Sequence, residues 1–171
     1  MKNFKKAISQ YHRLKENKTK DKHMDGFQKV FRELLPAEYV LHKDKGIQET
    51  PYRNKRWDYS VWNKSHLVGV IELKSLHKSA NKNINNRQEE AIGCATFLKE
   101  HRPSVKRSYF WIGDTLDEST QIKWESFLHD CLNKKWYDSV CALVLDGDGN
   151  YQTFNEMSIV DMFSVYNVEQ Q

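Results

Sequence analysis

Tyr52-Arg53-Asn54-Lys55-Arg56-Trp57-Asp58-Tyr59-Ser60-Val61-Trp62-Asn63-Lys64-Ser65-His66-Leu67-Val68-Gly69-Val70-Ile71-Glu72-Leu73-Lys74 reads as two strands joined by a tight turn at Asn63 to Ser65. The first strand carries Asp58. The second is apolar and ends in Glu72-Leu73-Lys74. Successive side chains of a strand point to opposite faces, so Glu72 and Lys74 share one face and Ile71 and Leu73 the other. On that pattern Val68 and Val70 precede Glu72 on its own face. An acid and an amine at the end of an apolar run sit where a core strand meets a cleft.

Asp58, Glu72 and Lys74 point to metal-assisted phosphodiester hydrolysis. A hard divalent cation such as magnesium takes carboxylate and carbonyl oxygens and keeps several waters. Asp58 and Glu72 offer two such oxygens and the Leu73 carbonyl a third. Lys74 is placed to orient or deprotonate an attacking water and to offset phosphate charge. The order Asp, about a dozen residues, then Glu-x-Lys resembles the signature of the PD-(D/E)xK nucleases. Taken alone, Glu-x-Lys on an exposed strand is most often a solvated charge pair, so the surrounding residues decide.

At 171 residues, 39% hydrophobic and 12% aromatic, the chain is expected to form one domain with a substantial core. A net charge of +4 is compatible with nucleic acid without requiring it. The basic residues concentrate early: residues 1 to 23 hold eight Lys or Arg against Glu16 and Asp21. Cys94, Cys131 and Cys141 lack metal-ligand spacing, and an odd count argues against a disulfide framework, which predicts reduced thiols in a cytoplasmic protein. There is no signal-peptide pattern and no apolar run near 18 residues, so no membrane partner is expected.

Outward from the central stretch, apolar spacing predicts the rest. Phe4, Ile8, Tyr11 and Leu14 mark a helix over 2–16 with a narrow apolar stripe, suited to DNA phosphates, to a partner subunit or to the domain edge. A charged linker follows at 17–21. Phe27, Val30, Phe31, Leu34 and Leu35 mark a second helix, stopped by Pro36, with Asp25 as its expected cap. Glu33 falls on its polar side, at the surface or behind the acidic site. Residues 38–49 read as a strand with a turn near Lys45-Gly46. Arg53, Lys55 and Arg56 stand just before Asp58, where a phosphate backbone would pass. A polar loop over 75–83 carries His77, Lys78 and Lys82, residue types that read bases.

Asn85 opens another helix, with Ile84, Ala91, Ile92, Ala95 and Leu98 inward, Asn86 and Glu89 as a cap pair, Arg87 and Glu90 as an i, i+3 pair, and Gly93 for close packing on the sheet. Then come a strand at 106–113, a helix at 118–136 with Ile122 and Trp124 on its apolar face, and a buried strand at 139–146. Asp146-Gly147-Asp148-Gly149-Asn150 reads as a tight turn, since the acid a calcium loop needs downstream is missing. A short helix at 157–165 closes the chain. This order predicts an α/β fold, a central mixed sheet flanked by helices, of the restriction-endonuclease-like kind. Its parts are a basic helix and linker (1–21), a core (22–146) and a terminal turn and helix (147–171).

Four separated segments carry a closer resemblance. They are Lys22-His23-Met24-Asp25-Gly26-Phe27, Tyr52-Arg53 with Lys55-Arg56-Trp57-Asp58, Ile71-Glu72-Leu73-Lys74-Ser75, and Asn85-Asn86-Arg87 with Glu89-Glu90-Ala91 and Gly93. Trp136-Tyr137-Asp138 with Cys141 is a fifth, weaker one. Together they resemble the XhoI family of type II restriction endonucleases. The resemblance implies a Mg2+-dependent homodimer that cuts both strands of double-stranded DNA at a short palindrome, CTCGAG in family members of this type. It further implies a cognate DNA methyltransferase in the same system. By that resemblance Asp58 and Glu72 bind metal and Lys74 supports the water. The residues themselves add the Leu73 carbonyl to the metal, and Arg53, Lys55, Arg56, Asn85, Asn86 and Arg87 are the candidates for DNA contact. The chain is shorter than the family pattern between Lys74 and Asn85 and after Trp111. The alternatives are a repair or structure-specific nuclease of the same fold, and a DNA-binding protein without catalysis.

Overall fold

The apolar strand that ends in Glu72 becomes the third of six in the main sheet. The computed structural model describes residues 2–15, 24–76, 84–154 and 157–167. Its elements run α1 (Lys2–Lys15), α2 (Gly26–Leu34), β1 (Tyr39–Lys43), β2 (Gly46–Thr50), β3 (Arg53–Arg56), β4 (Tyr59–Asn63), β5 (His66–Leu76), α3 (Ile84–His101), β6 (Lys106–Asp114), α4 (Glu118–Asn133), β7 (Ser139–Leu145), β8 (Tyr151–Thr153) and α5 (Ile159–Ser164). The main sheet has the order β1-β4-β5-β6-β7-β8, and β2 and β3 form a separate two-stranded ribbon. The pairs β1–β4, β4–β5 and β7–β8 are antiparallel; β5–β6 and β6–β7 are parallel. Parallel neighbours need a crossover, and α3 and α4 supply the two required. The expected mixed sheet flanked by helices is the one observed.

Each face of the sheet has its own core. On one, Ile71, Phe110, Ile112, Cys141 and Leu143 meet Phe4, Ile8 and Tyr11 of α1, Phe27, Val30 and Phe31 of α2, and Met162 and Phe163 of α5. On the other, Tyr109, Trp111, Val140 and Ala142 meet Ala91 and Ala95 of α3 and Trp124, Phe127 and Leu128 of α4. A third cluster, Ile47, Trp57, Val70, Leu98 and Val105, joins the β2–β3 ribbon to α3. The N-terminal helix is thus an integral layer, with Phe4, Ala7, Ile8 and Tyr11 buried. Its last-turn cations His12, Arg13 and Lys15 suit the negative end of its dipole, and Lys15 also pairs with Asp114 at the end of β6.

Several local expectations are corrected. Asp58 lies in the break between β3 and β4 rather than within a strand. Val68 is the extra residue of a bulge, because Val61 pairs with Gly69 and Trp62 with Leu67. It therefore packs on the first core with Ile71 rather than on the face of Val70 and Glu72. The next residue has to be glycine, since a Cβ on Gly69 would lie 2.5 Å from the Tyr166 ring. Asp25 makes no capping bond; its carboxylate pairs with Lys43 at 2.6 Å. Asn86 lies inside the first turn of α3, which begins at Ile84, so it is not that helix's cap. Gly93 does not serve close packing, because a Cβ there meets nothing within 4 Å among the described residues. Ile122 is 57% exposed on the outer side of α4. Glu33 is bonded by Asn3 on the exposed side of α2. The tight turn holds: the Asp146 carboxylate accepts the backbone N–H groups of Asp148 and Asn150, and leads into β8, a strand the apolar pattern did not announce. The 17–21 linker and the loop residues His77, Lys78 and Lys82 lie outside the described residues.

Candidate active site

The site forms where β4 stops pairing with β5. Tyr59 of β4 pairs with Ile71 of β5, and beyond it β5 has no strand partner on that side among the described residues. The chain turns away at Trp57-Asp58, and two anchors hold the turn. The Trp57 side chain is fully buried, and its indole N–H donates to Glu49 at 2.9 Å. The backbone N–H of Asp44 donates to the Asp58 carbonyl at 3.1 Å. Asp58 then stands in for the missing strand partner. Its Oδ2 accepts the Leu73 backbone N–H at 2.7 Å. A strand residue presents its N–H and C=O to the same side, so the Leu73 carbonyl faces the same open edge.

Glu72 and Lys74 project from β5 on the α3 side, opposite Tyr109 and Trp111 of β6. Glu72 is only 3% exposed. Two ammonium groups meet its carboxylate: Lys74 Nζ lies 2.6 Å from Oε1 and Lys55 Nζ 3.7 Å from Oε2. Lys55 also donates to Cys94 Sγ at 3.0 Å and lies over the Trp57 ring. Burial works against the Lys55 charge, but Glu72 and Cys94 outweigh it, and its pKa is raised. Glu90 of α3 approaches Lys74 at 3.6 Å and is met from solvent by Arg87 at 3.5 Å. The result is a file of alternating charge: Arg87, Glu90, Lys74, Glu72, Lys55.

Asp58 is the uncomfortable member. Burial first, and the neighbouring charge of Glu72 second, push its carboxyl up to about 6; the Leu73 N–H and Lys74 only partly compensate. Two carboxylates and a carbonyl edge suit a hard divalent cation, whose charge would offset that shift. Among the described residues no three His, Cys, Asp or Glu side chains form a ready cage.

The structure therefore unites Asp58, Glu72, Leu73 and Lys74. It turns Lys55 into this cluster, where its side chain is 15% exposed. Arg53 is likewise engaged inward, with Nε 3.0 Å from Glu49 and its guanidinium 3.9 Å over the Phe97 ring. Arg56, Asn85, Asn86 and Arg87 are exposed. Glu90, which the sequence leaves open beside Glu33 as an aid to the acidic site, joins the cluster through Lys74. Its signal was the Arg87-Glu90 spacing, which has a sufficient explanation as a helix-surface pair. Only the placement of α3 over β5 gives it a second partner.

An acidic pair with a lysine thus stands at the broken edge of a mixed sheet. Residues 5–104 match the restriction endonuclease XhoI family. The chain is 32% identical to the type II restriction enzyme BstVI of Geobacillus stearothermophilus, over 78% of this chain and 78% of that enzyme. It is 33% identical to the type II restriction enzyme XhoI of Xanthomonas vasicola, over 67% of this chain and 47% of that enzyme. The protein belongs to the XhoI family of restriction endonucleases. Among solved structures, a fdxN element excision controlling factor protein from Anabaena variabilis aligns over 74% of this chain and 99% of its own, with 16% identity and a TM-score of 0.39. No helix among the described residues is long and apolar enough to cross a membrane.

Proposed function

We propose that this chain is a type II endonuclease that hydrolyses both strands of double-stranded DNA at a short palindromic site, with Mg2+ as its metal and a homodimer as its working form. The observation that carries the reading is the juxtaposition of Asp58, Glu72 and Lys74 at the open edge of β5, within a chain of this family.

Asp58, Glu72 and the Leu73 carbonyl would hold the metal. When bound, it supplies Lewis-acid activation of water and phosphate. Lys74 orients the attacking water and stabilises charge on the phosphate. The water oxygen gives up a proton as it bonds to phosphorus, the bond from phosphorus to the leaving oxygen breaks, and that oxygen takes up a proton from solvent. Lys55 keeps Glu72 turned toward the site from its second oxygen. Arg56, Asn85, Asn86 and Arg87, all exposed, contact DNA in this reading, and Arg53 supports the β3 end of that surface. Two-fold symmetry of the protein would read two-fold symmetry of the site. A DNA methyltransferase that protects the host's own sites is the expected companion.

The test is digestion of a long unmethylated DNA with Mg2+, beside Glu72→Ala. Discrete fragments are expected, with at least about a 100-fold loss in the variant. A smear would replace the reading with repair-type or nonspecific cleavage. Tight binding without cleavage would replace it with a DNA-binding protein.

A further inference from the structure

Lys74 has two carboxylates within reach. It sits on Glu72 at 2.6 Å, and Glu90 waits at 3.6 Å on its other side. Glu72 in turn has a second ammonium, Lys55, at 3.7 Å. In the arrangement seen, Lys74 occupies Oε1 of Glu72 while Lys55 faces Oε2. The Lys74 amine is also the group available for the water. A cation that takes Oε1 displaces it.

We propose that Glu90 is a positioning residue, the second seat for Lys74: when a divalent cation takes Glu72, Lys74 transfers to Glu90 and is held there beside the attacking water. This rests on the reading of Asp58 and Glu72 as the metal carboxylates. The geometry supports each part. The Glu72 side chain is 4% exposed, so its orientation is set by its surroundings, and Lys55 remains to hold Oε2 after Lys74 leaves. Glu90 is 45% exposed and stands nearly two turns into α3, over the end of β5. Its other oxygen is met by Arg87 at 3.5 Å, a side chain that is itself 48% exposed at the proposed DNA surface. A phosphate that draws Arg87 away leaves Glu90 more negative toward Lys74. DNA binding and cation binding would then help each other through one carboxylate, with no movement of the backbone.

The experiment measures Mn2+ binding to the full chain without DNA, from the magnetic resonance signal of free Mn2+. Four proteins are compared: the natural chain, Glu90→Gln, Lys74→Met and the double variant. Glu90→Gln should weaken Mn2+ about tenfold, since Lys74 then stays on Glu72. Lys74→Met should tighten Mn2+ by a similar factor while abolishing cleavage. In the Lys74→Met background, Glu90→Gln should change binding less than about twofold, because the two act through one interaction. In cleavage, Glu90→Gln should raise the Mg2+ needed for half-maximal rate about tenfold. An unchanged affinity in Glu90→Gln would make Glu90 a bystander paired with Arg87 and overturn the proposal. Equal weakening in both backgrounds would mean that Glu90 touches the cation directly, and overturn it differently. Mn2+ binding that survives both Asp58→Ala and Glu72→Ala would instead remove the metal site itself, and this inference with it. Glu90 is exposed and Gln is its isostere, so the variant should melt like the natural chain.

Discussion

Two buried charge clusters lie on the same sheet and differ in kind. At the start of β6, Arg107 is 3% exposed, and Asp138 takes both its guanidinium Nη2, at 2.9 Å, and its backbone N–H, at 2.7 Å. One acid meets one base, across the gap to the start of β7. At the end of β5, Asp58 and Glu72 share space with Lys55 and Lys74. There the bonds are uneven, at 2.6 and 3.7 Å, and one acid is pushed up to about 6. The first cluster ties the starts of two strands together. The second packs two acids against two bases at unequal distances and leaves Asp58 pushed up by burial and by Glu72. Burial of charge alone does not mark an active site; an acid held above its ordinary range by burial and a like charge is the stronger sign.

Breaking the first cluster should have the largest effect on stability. Asp138→Ala leaves the Arg107 guanidinium buried without its partner and should cost about 3–5 kcal/mol in denaturant unfolding. Molecules that remain folded should keep their cleavage rate per site.

Asp58→Asn should move the opposite way. A folded-state value of about 6 is above the ordinary carboxylate range, so the folded chain holds that proton more tightly than the unfolded one. The associated stability is present at low pH and is lost as pH rises through about 6. The metal-free natural chain should therefore lose on the order of 1–2 kcal/mol, screening included, relative to Asp58→Asn between pH 4 and pH 7. Thermal melts at the two pH values read this directly. Saturating Mg2+ should raise the natural chain's melting point and leave the variant's nearly unchanged. Cleavage by the variant should be lost.

Gly93→Ala is the smallest change and touches neither cluster. The methyl group would enter open space on the outer side of α3, so stability should rise by about 1 kcal/mol, roughly 2–4 °C in melting point. Cleavage should not change, which would show that α3 can be stiffened without disturbing Glu90.

Local chemistry alone accounts for a good part of this molecule. The alternation of Ile71, Glu72, Leu73 and Lys74 decides that the acid and the amine share a face, because a strand has period two. The 3.6-residue spacing of Phe27, Val30, Phe31 and Leu34 decides a helix with one buried side. The five matching segments identify the family, since their order and spacing leave little else. Other features needed contacts between distant parts of the chain. The bulge at Val68 puts that residue on the opposite face from Val70, and the register shift that does so follows no local pattern of apolar residues. Lys55 reads as a surface cation beside other cations until the ribbon folds it onto Glu72 and Cys94, more than a dozen residues away. Glu90 reads as a partner of Arg87 until α3 lies across β5. Sequence spacing specifies neighbours along one element, where backbone geometry is regular. Which charges meet between elements depends on how the layers stack, and that is settled by filling the two cores.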